Sequence, residues 1–192
     1  MSSETVWFEQ IDTALLAFIK SHVFIDNTSV KAVVRKPDDD FNEEEYPVVT
    51  VYNLYDRFSR ERYSPEPLEI SRDPEHNRIV MEKSALPYDL YYQIDFWATR
   101  QVDMNEMTRQ WRNATGLYFN LDVVDMSGIS RSCFVLSRND FNKSDLMQNG
   151  KRLFHSFGTY RIYTEIDERE QTLEPMVTET PIVNTSSNVG GS

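Results

Sequence analysis

A single cysteine, three histidines and no long apolar run set the first limits on this 192-residue sequence. Cys133 alone rules out an internal disulfide and any thiolate zinc site within one chain, and it suits a reducing compartment. His22, His76 and His155 stand far apart, and no HExxH or HxE element accompanies them to build a zinc site. Nothing approaches the roughly 18 to 20 consecutive apolar residues that span a bilayer. The start of the chain lacks a basic stretch followed by an apolar core. The expectation is a soluble protein, without a recognisable export signal and without a membrane partner. Lys and Arg number 20 against 31 Asp and Glu, a net charge of −11. That shortage of cations excludes sequence-reading of duplex DNA through many phosphate contacts. DNA is expected at most to pass by without being held.

Catalytic spacings are missing as well. Gly150-Lys151 is followed by Arg152, and Asp145 stands where a phosphate-cradling loop needs its first glycine. Gly128-Ile129-Ser130-Arg131-Ser132 lacks the second glycine of a nucleophile elbow. No lysine has an acid two residues before it, which removes half of a common nuclease site. The carboxylates cluster in runs, whereas paired acid and base work needs them in contrasting environments. Asp95, isolated in an apolar strand, is the acid to watch, and a rim or edge position is expected for it. No cofactor or metal is called for.

What is present is enough for a core: hydrophobic residues make up 40% and aromatics 12%. The stretch from Leu86 to Gly116 is the most informative. Leu90, Tyr92, Ile94, Phe96 and Ala98 alternate with Tyr91, Gln93, Asp95, Trp97 and Thr99, a strand signal. Asp103 with Glu106 three residues later then reads as an N-terminal capping pair. Met104, Met107, Trp111 and Ala114 follow at helical spacing up to Gly116, a plausible stop. The first face of that strand, with Met107 and Trp111, is expected to fix helices to a sheet.

Elsewhere, Trp7, Ile11, Leu15, Phe18 and Ile19 predict an amphipathic helix over 4–22. Residues 30–36 and 48–54 predict two strands, expected to pair antiparallel around an acidic hairpin loop of Asp38, Asp39, Asp40, Glu43, Glu44 and Glu45. That loop has no glycine, which disfavours a calcium loop; in a ring it would line the channel. Residues 56–86 read as an inserted, hairpin-like arm. Arg57, Arg60 and Arg62, interleaved with Phe58 and Tyr63, suit a phosphate or a partner's acidic surface, or simply solvent. Residues 117–124 suit a strand or packed connection, and Cys133–Leu136 a buried strand in which Cys133 is a core residue. Residues 137–150 read as polar connection with a turn at Asn149-Gly150, and Phe154 to Ile166 as a long closing strand. From 168 onward a mobile, extended tail is expected. The fold class is α+β: one domain over 1–167, with a central mixed, mainly antiparallel sheet, two helices packed on one face, the arm and the tail.

This order resembles that of the tail terminator and related tail-completion (neck) proteins of tailed phages. The resemblance is carried by the helix around Ile11–Ile19, the strand Pro47-Val48-Val49-Thr50-Val51, the aromatic strand Tyr91–Ala98 with its following helix, and the closing strand Phe157–Ile166. It implies no active-site residues. It implies a homo-oligomeric ring, usually six copies, at the head-proximal end of the tail, which stops tube growth, joins the head connector and resides in the virion after assembly in the host cytoplasm. Tyr91, Asp95 and Trp97, with the three arginines, are the residues expected at subunit or partner contacts. The arm and the tail depart from the pattern, which keeps a head-closure or connector role as the alternative. A metal-dependent hydrolase or nuclease using the loop carboxylates is the third reading.

Overall fold

A computed structural model of the chain describes residues 3–35, 46–64, 66, 68–73, 75, 78–82, 85–124, 130–138, 142–148, 151–166 and 171–175. In chain order the elements are α1 (Ser3–His22), β1 (Phe24–Ile25), β2 (Thr28–Ser29), β3 (Lys31–Val34), β4 (Val48–Phe58), β5 (Leu68–Asp73) and β6 (Arg78–Glu82). They continue with β7 (Leu86–Ala98), α2 (Gln101–Thr115), β8 (Tyr118–Val124), β9 (Ser130–Ser137), β10 (Asn142–Gln148), β11 (Lys151–Ile166) and β12 (Gln171–Pro175). Two compact units result: Met1–Tyr63 with Ala85–Asp167, and Ser64–Ser84 with Glu168–Ser192. The smaller is a three-stranded antiparallel sheet in the order β12-β6-β5. The inserted arm therefore contains the expected hairpin. Gln171–Pro175, read from sequence as tail, is a strand because β6 supplies its ladder partners, not because of any period of its own.

The larger unit is an α+β fold around a seven-stranded mixed sheet, ordered β3-β4-β7-β11-β9-β8 with β10 also on β11. One pairing corrects the sequence reading. β3 and β4 run parallel, Lys31 opposite Val48 and Val34 opposite Val51, and do not form a hairpin. A parallel pair needs a connection of about a dozen residues or more, and 35–47 has that length; β4 gives its other edge to β7. The acidic residues 38–45 themselves lie outside the described residues. A second correction concerns β10. The polar stretch before Gly150 has no apolar run, yet Asn142–Gln148 pairs in unbroken register with β11, from Asn142↔Phe157 to Gln148↔Lys151.

Both helices pack on the same face of the sheet. Ile11, Leu15 and Ile19 form the fully buried stripe of α1. Met104, Met107 and Trp111 do the same on α2, against Leu90, Tyr92, Ile94 and Phe96 of β7. At the start of α2 the expected capping pair is drawn elsewhere. Arg100 is the N-cap without a side-chain cap bond, and its guanidinium donates twice to Asp103 at 2.7 Å. Glu106 instead accepts from Arg109 and Gln110. Gly116, at φ 56°, ends the helix in a conformation that favours glycine. Exposed His22 is structural, its ring stacked 4.2 Å from Phe18.

Two hydroxyls cross the core: Tyr92 donates to Asp12 at 2.8 Å, and the Trp111 indole N–H donates to Tyr160 at 2.6 Å. Burial pushes the Tyr160 hydroxyl up to about 12 and moves Tyr92 the same way. An unfolded tyrosine loses its proton near pH 10. The unfolded chain thus sheds protons first, and stability present below pH 10 is lost as pH climbs towards 12. For Tyr160 alone the loss is on the order of 2 to 3 kcal/mol. Tyr160→Phe is expected to start about 1 kcal/mol less stable at neutral pH, having lost the indole's acceptor, but to show a shallower decline in Tm above pH 10. A decline as steep as that of the parent chain would contradict this.

Candidate functional site on the sheet face away from the helices

Alternation sends Asp89, Tyr91, Gln93, Asp95 and Trp97 of β7 to the face opposite the helices. Their register partners, Arg57, Tyr55, Tyr52, Thr50 and Val48 on β4 and Tyr163, Arg161, Thr159, Phe157 and His155 on β11, point the same way. This face is closed as well. Tyr91 and Trp97 are 6% exposed, Asp89 2% and Asp95 0%. Asp95 is therefore no rim residue: it sits mid-strand in a strand flanked on both sides, and its carboxylate is spoken for. It accepts from His155 Nε2 at 2.7 Å and from Gln93 Nε2 at 2.9 Å. His155 Nδ1 lies 2.9 Å from the Ser144 hydroxyl. A carboxylate only accepts, so Nε2 carries the proton towards Asp95, and Nδ1 shares the second bond with the Ser144 hydroxyl.

Hydroxyl, imidazole and carboxylate in that order is the arrangement of a nucleophile relay. Here the imidazole is enclosed. Trp97 stacks on it at 3.8 Å and 11°, Phe157 at 5.3 Å and 18°, and both nitrogens are engaged. A relay of this kind also needs donors aimed at an oxyanion. What the cluster does as it stands is tie β10, β11 and β7 together, while Trp97 reaches Thr50 on β4 through its indole N–H at 3.2 Å.

Towards the other end of β7, Asp89 accepts from two guanidinium groups, Arg62 at 2.9 Å and Arg161. Arg62 also donates to the carbonyls of Tyr88 at 2.7 Å and Thr164 at 3.3 Å, so it staples the ends of β7 and β11. Arg57 and Arg60 are exposed, and Arg57 lies directly across from Asp89 in the ladder. Of the six sequence-predicted contact residues outside the acidic loop, the structure thus brings Arg57, Arg62, Tyr91, Asp95 and Trp97 to one face.

A ribbon of rings and guanidinium groups crosses this face from β8 to β4. Tyr118 stacks on Phe134 at 5.5 Å, and Phe134 meets Tyr163 at 5.6 Å. Arg161 stands 4.5 Å over Tyr163, Arg138 stands 5.0 Å over Tyr91, and Tyr91 stacks on Tyr55 at 4.3 Å. A cavity of about 280 Å³ opens beside it, lined by Arg62, Cys133, Tyr163 and Thr164 among others. Burial pushes the Cys133 thiol up, which fits a core residue and not a nucleophile. Asp89, Arg161, His155 and Ser144 were missed from sequence. The alternation of β11 did place Arg161 opposite Tyr160 and Ile162, but no local signal joins His155 to Asp95.

No protein-family model matches the chain, and no curated protein matches it. Among solved structures, it is similar to the sheath/tube terminator of an extracellular contractile injection system, PVC, in the extended state. The identity is 13% and the TM-score 0.42, over 96% of this chain and 63% of that one, so the chain spans less than two thirds of that protein's length.

Proposed function

We propose that the chain is a structural assembly protein of a phage or phage-like tail, forming a ring at the head-proximal end that ends tube growth and meets the head connector. The observation that carries the reading is the open flank of the sheet at β8. Among the described residues no strand pairs the outer side of β8. Leu117 is 79% exposed there, Tyr118 64% and Val124 57%, with Phe134 at 41% beside them. Apolar side chains gathered along an unpaired strand make a contact surface for protein. The opposite flank ends in β3, whose Val34 is also exposed. Two unlike flanks joined head to tail give a repeating interface that closes into a ring when the rotation allows. Asp89 and Asp95 each give an oxygen to a side chain of β11, Arg161 and His155, as carboxylates in a scaffold do.

Native mass spectrometry at micromolar concentration is expected to show a closed oligomer, alone or on addition of tail-tube protein. A strictly monomeric chain under both conditions would sink the proposal. Capture by portal or adaptor rings, and not by tube, would assign the chain to head closure instead. Labelling of Ser144 by a fluorophosphonate probe would move it into the hydrolases.

A further inference from the structure

Resting on the ring reading and deepening it, we infer that neighbouring copies join edge to edge by backbone hydrogen bonds. β3 of one copy runs parallel along the outer side of β8 of the next, so that one sheet continues from copy to copy. The first ground is strand direction. β3 and β4 run parallel, whereas β4–β7, β7–β11, β11–β9 and β9–β8 are each antiparallel. Those reversals cancel in pairs, and β8 points the same way as β3. Rotation about a ring axis keeps the helix layer of every copy on the same side of the sheet. It therefore brings β3 against β8 as a parallel pair.

The second ground is where the edge strands aim their backbone groups. The Leu117 carbonyl accepts from Ser137 N–H at 3.0 Å. Alternation along the ladder then turns Phe119, Leu121 and Val123 towards β9, and Tyr118, Asn120, Asp122 and Val124 outward. On β3, Arg35 N–H donates to the Val51 carbonyl at 3.1 Å, so Lys31 and Val33 bond towards β4 and Ala32 and Val34 aim outward. In a parallel pair, a residue that bonds across the gap stands opposite one that bonds the other way, and the two share a face. Val33 and Thr50 already stand so within the chain. The outward-bonding residues of β8 lie on the face away from the helices, since Phe119, Leu121 and Val123 are in the core beneath them. Lys31 and Val33 lie on that same face, since Ala32 is in the core. A parallel joint with both helix layers on one side meets the condition; an antiparallel one meets it only with the layers on opposite sides.

The third ground is side-chain chemistry. Lys31 is the one charged residue of β3 and Asp122 the one charged residue of β8, and both are exposed. Setting them opposite each other places Val33 beside exposed Val124. The N–H groups of Asp122 and Val124 then face the carbonyls of Val30 and Ala32, and the N–H groups of Ala32 and Val34 face the carbonyls of Asp122 and Val124. β8 also contains none of the lysines or prolines that blunt an edge. The competing occupant is β8 of a second copy about a two-fold axis, which ends at a dimer and gives Asp122 no cation.

The test places Lys31→Cys and Asp122→Cys in one full chain and oxidises it. Opposed residues on neighbouring strands lie about 5 Å apart, within the reach of a disulfide. A ladder of covalent oligomers is expected, ending at the size that native mass spectrometry gives for the parent chain, whereas either single variant stays monomeric on a denaturing gel. Asp122→Pro removes an outward donor and no bond to β9, a change that an edge strand tolerates. It is expected to weaken self-association at least tenfold with little change in Tm. A parent chain that assembles while the double-cysteine chain forms no ladder shows the joint to be wrong and leaves the ring reading standing. Covalent dimers from Asp122→Cys alone overturn the joint in favour of β8 on β8. A parent chain that stays monomeric, also with tail-tube protein, ends both readings.

Discussion

Ile94→Asp is expected to abolish folding, leaving no cooperative thermal transition and little soluble protein. Ile94 is fully buried in the middle of β7, facing both helices, and β7 is hydrogen-bonded to β4 on one side and β11 on the other. The change removes about 2 to 3 kcal/mol of apolar burial and sets a carboxylate in an apolar cluster with Leu90, Tyr92, Phe96 and Met107. An uncompensated buried charge costs several kcal/mol more. The sum approaches the roughly 5 to 15 kcal/mol by which whole domains are stable. Circular dichroism and a solubility assay beside the parent chain would read the result. A soluble variant with an unchanged melting point would show that β7 is not the centre of the fold.

Asp89→Ala is the second large effect, expected to destabilise by about 3 kcal/mol and to lower Tm by roughly 6 to 12 °C. The carboxylate is nearly fully buried, whereas its two partners keep side-chain exposures of 30% for Arg62 and 27% for Arg161. That partial exposure argues for the lower end of what breaking a buried pair costs, because water can reach the orphaned guanidinium groups. Arg161 is the less forgiving partner, its Nε being buried without a hydrogen-bond partner among the described residues. Arg62→Ala should cost less than Asp89→Ala, since it leaves the carboxylate bonded to Arg161. Urea denaturation of the three proteins orders them, and an Asp89→Ala midpoint equal to that of the parent chain would contradict the staple.

The parts of the fold that can be read from sequence are those whose partners are implied by their own pattern. β7 and β11 alternate so strictly that Tyr92, Ile94, Tyr160 and Ile162 reveal their inward face without a structure, and α1 shows its stripe at Ile11, Leu15 and Ile19. What could not be read was decided by neighbours. β10 is polar and exists because β11 offers it a ladder, and β12 is a strand because β6 is beside it. The parallel pairing of β3 turns on where β4 lies in the sheet, which no local window encodes. The same holds at the site. The polar side of β7 looked free to meet solvent or a partner, but Asp95 is matched by His155 and Asp89 by Arg161, each contributed by a strand that comes much later in the chain.

The long register between β7 and β11, from Ala98↔Phe154 to Leu86↔Ile166, also orders events in time. As the polypeptide leaves the ribosome, β7 and α2 emerge with their apolar faces complete, yet the strand that covers one whole edge of β7 is made only after β8, β9 and β10. Contacts so distant along the chain close slowly. During synthesis, an interval exists in which β7 is a long, unpaired and strongly apolar edge, the kind of surface that other chains or chaperones capture. Completion of β11 ends that interval.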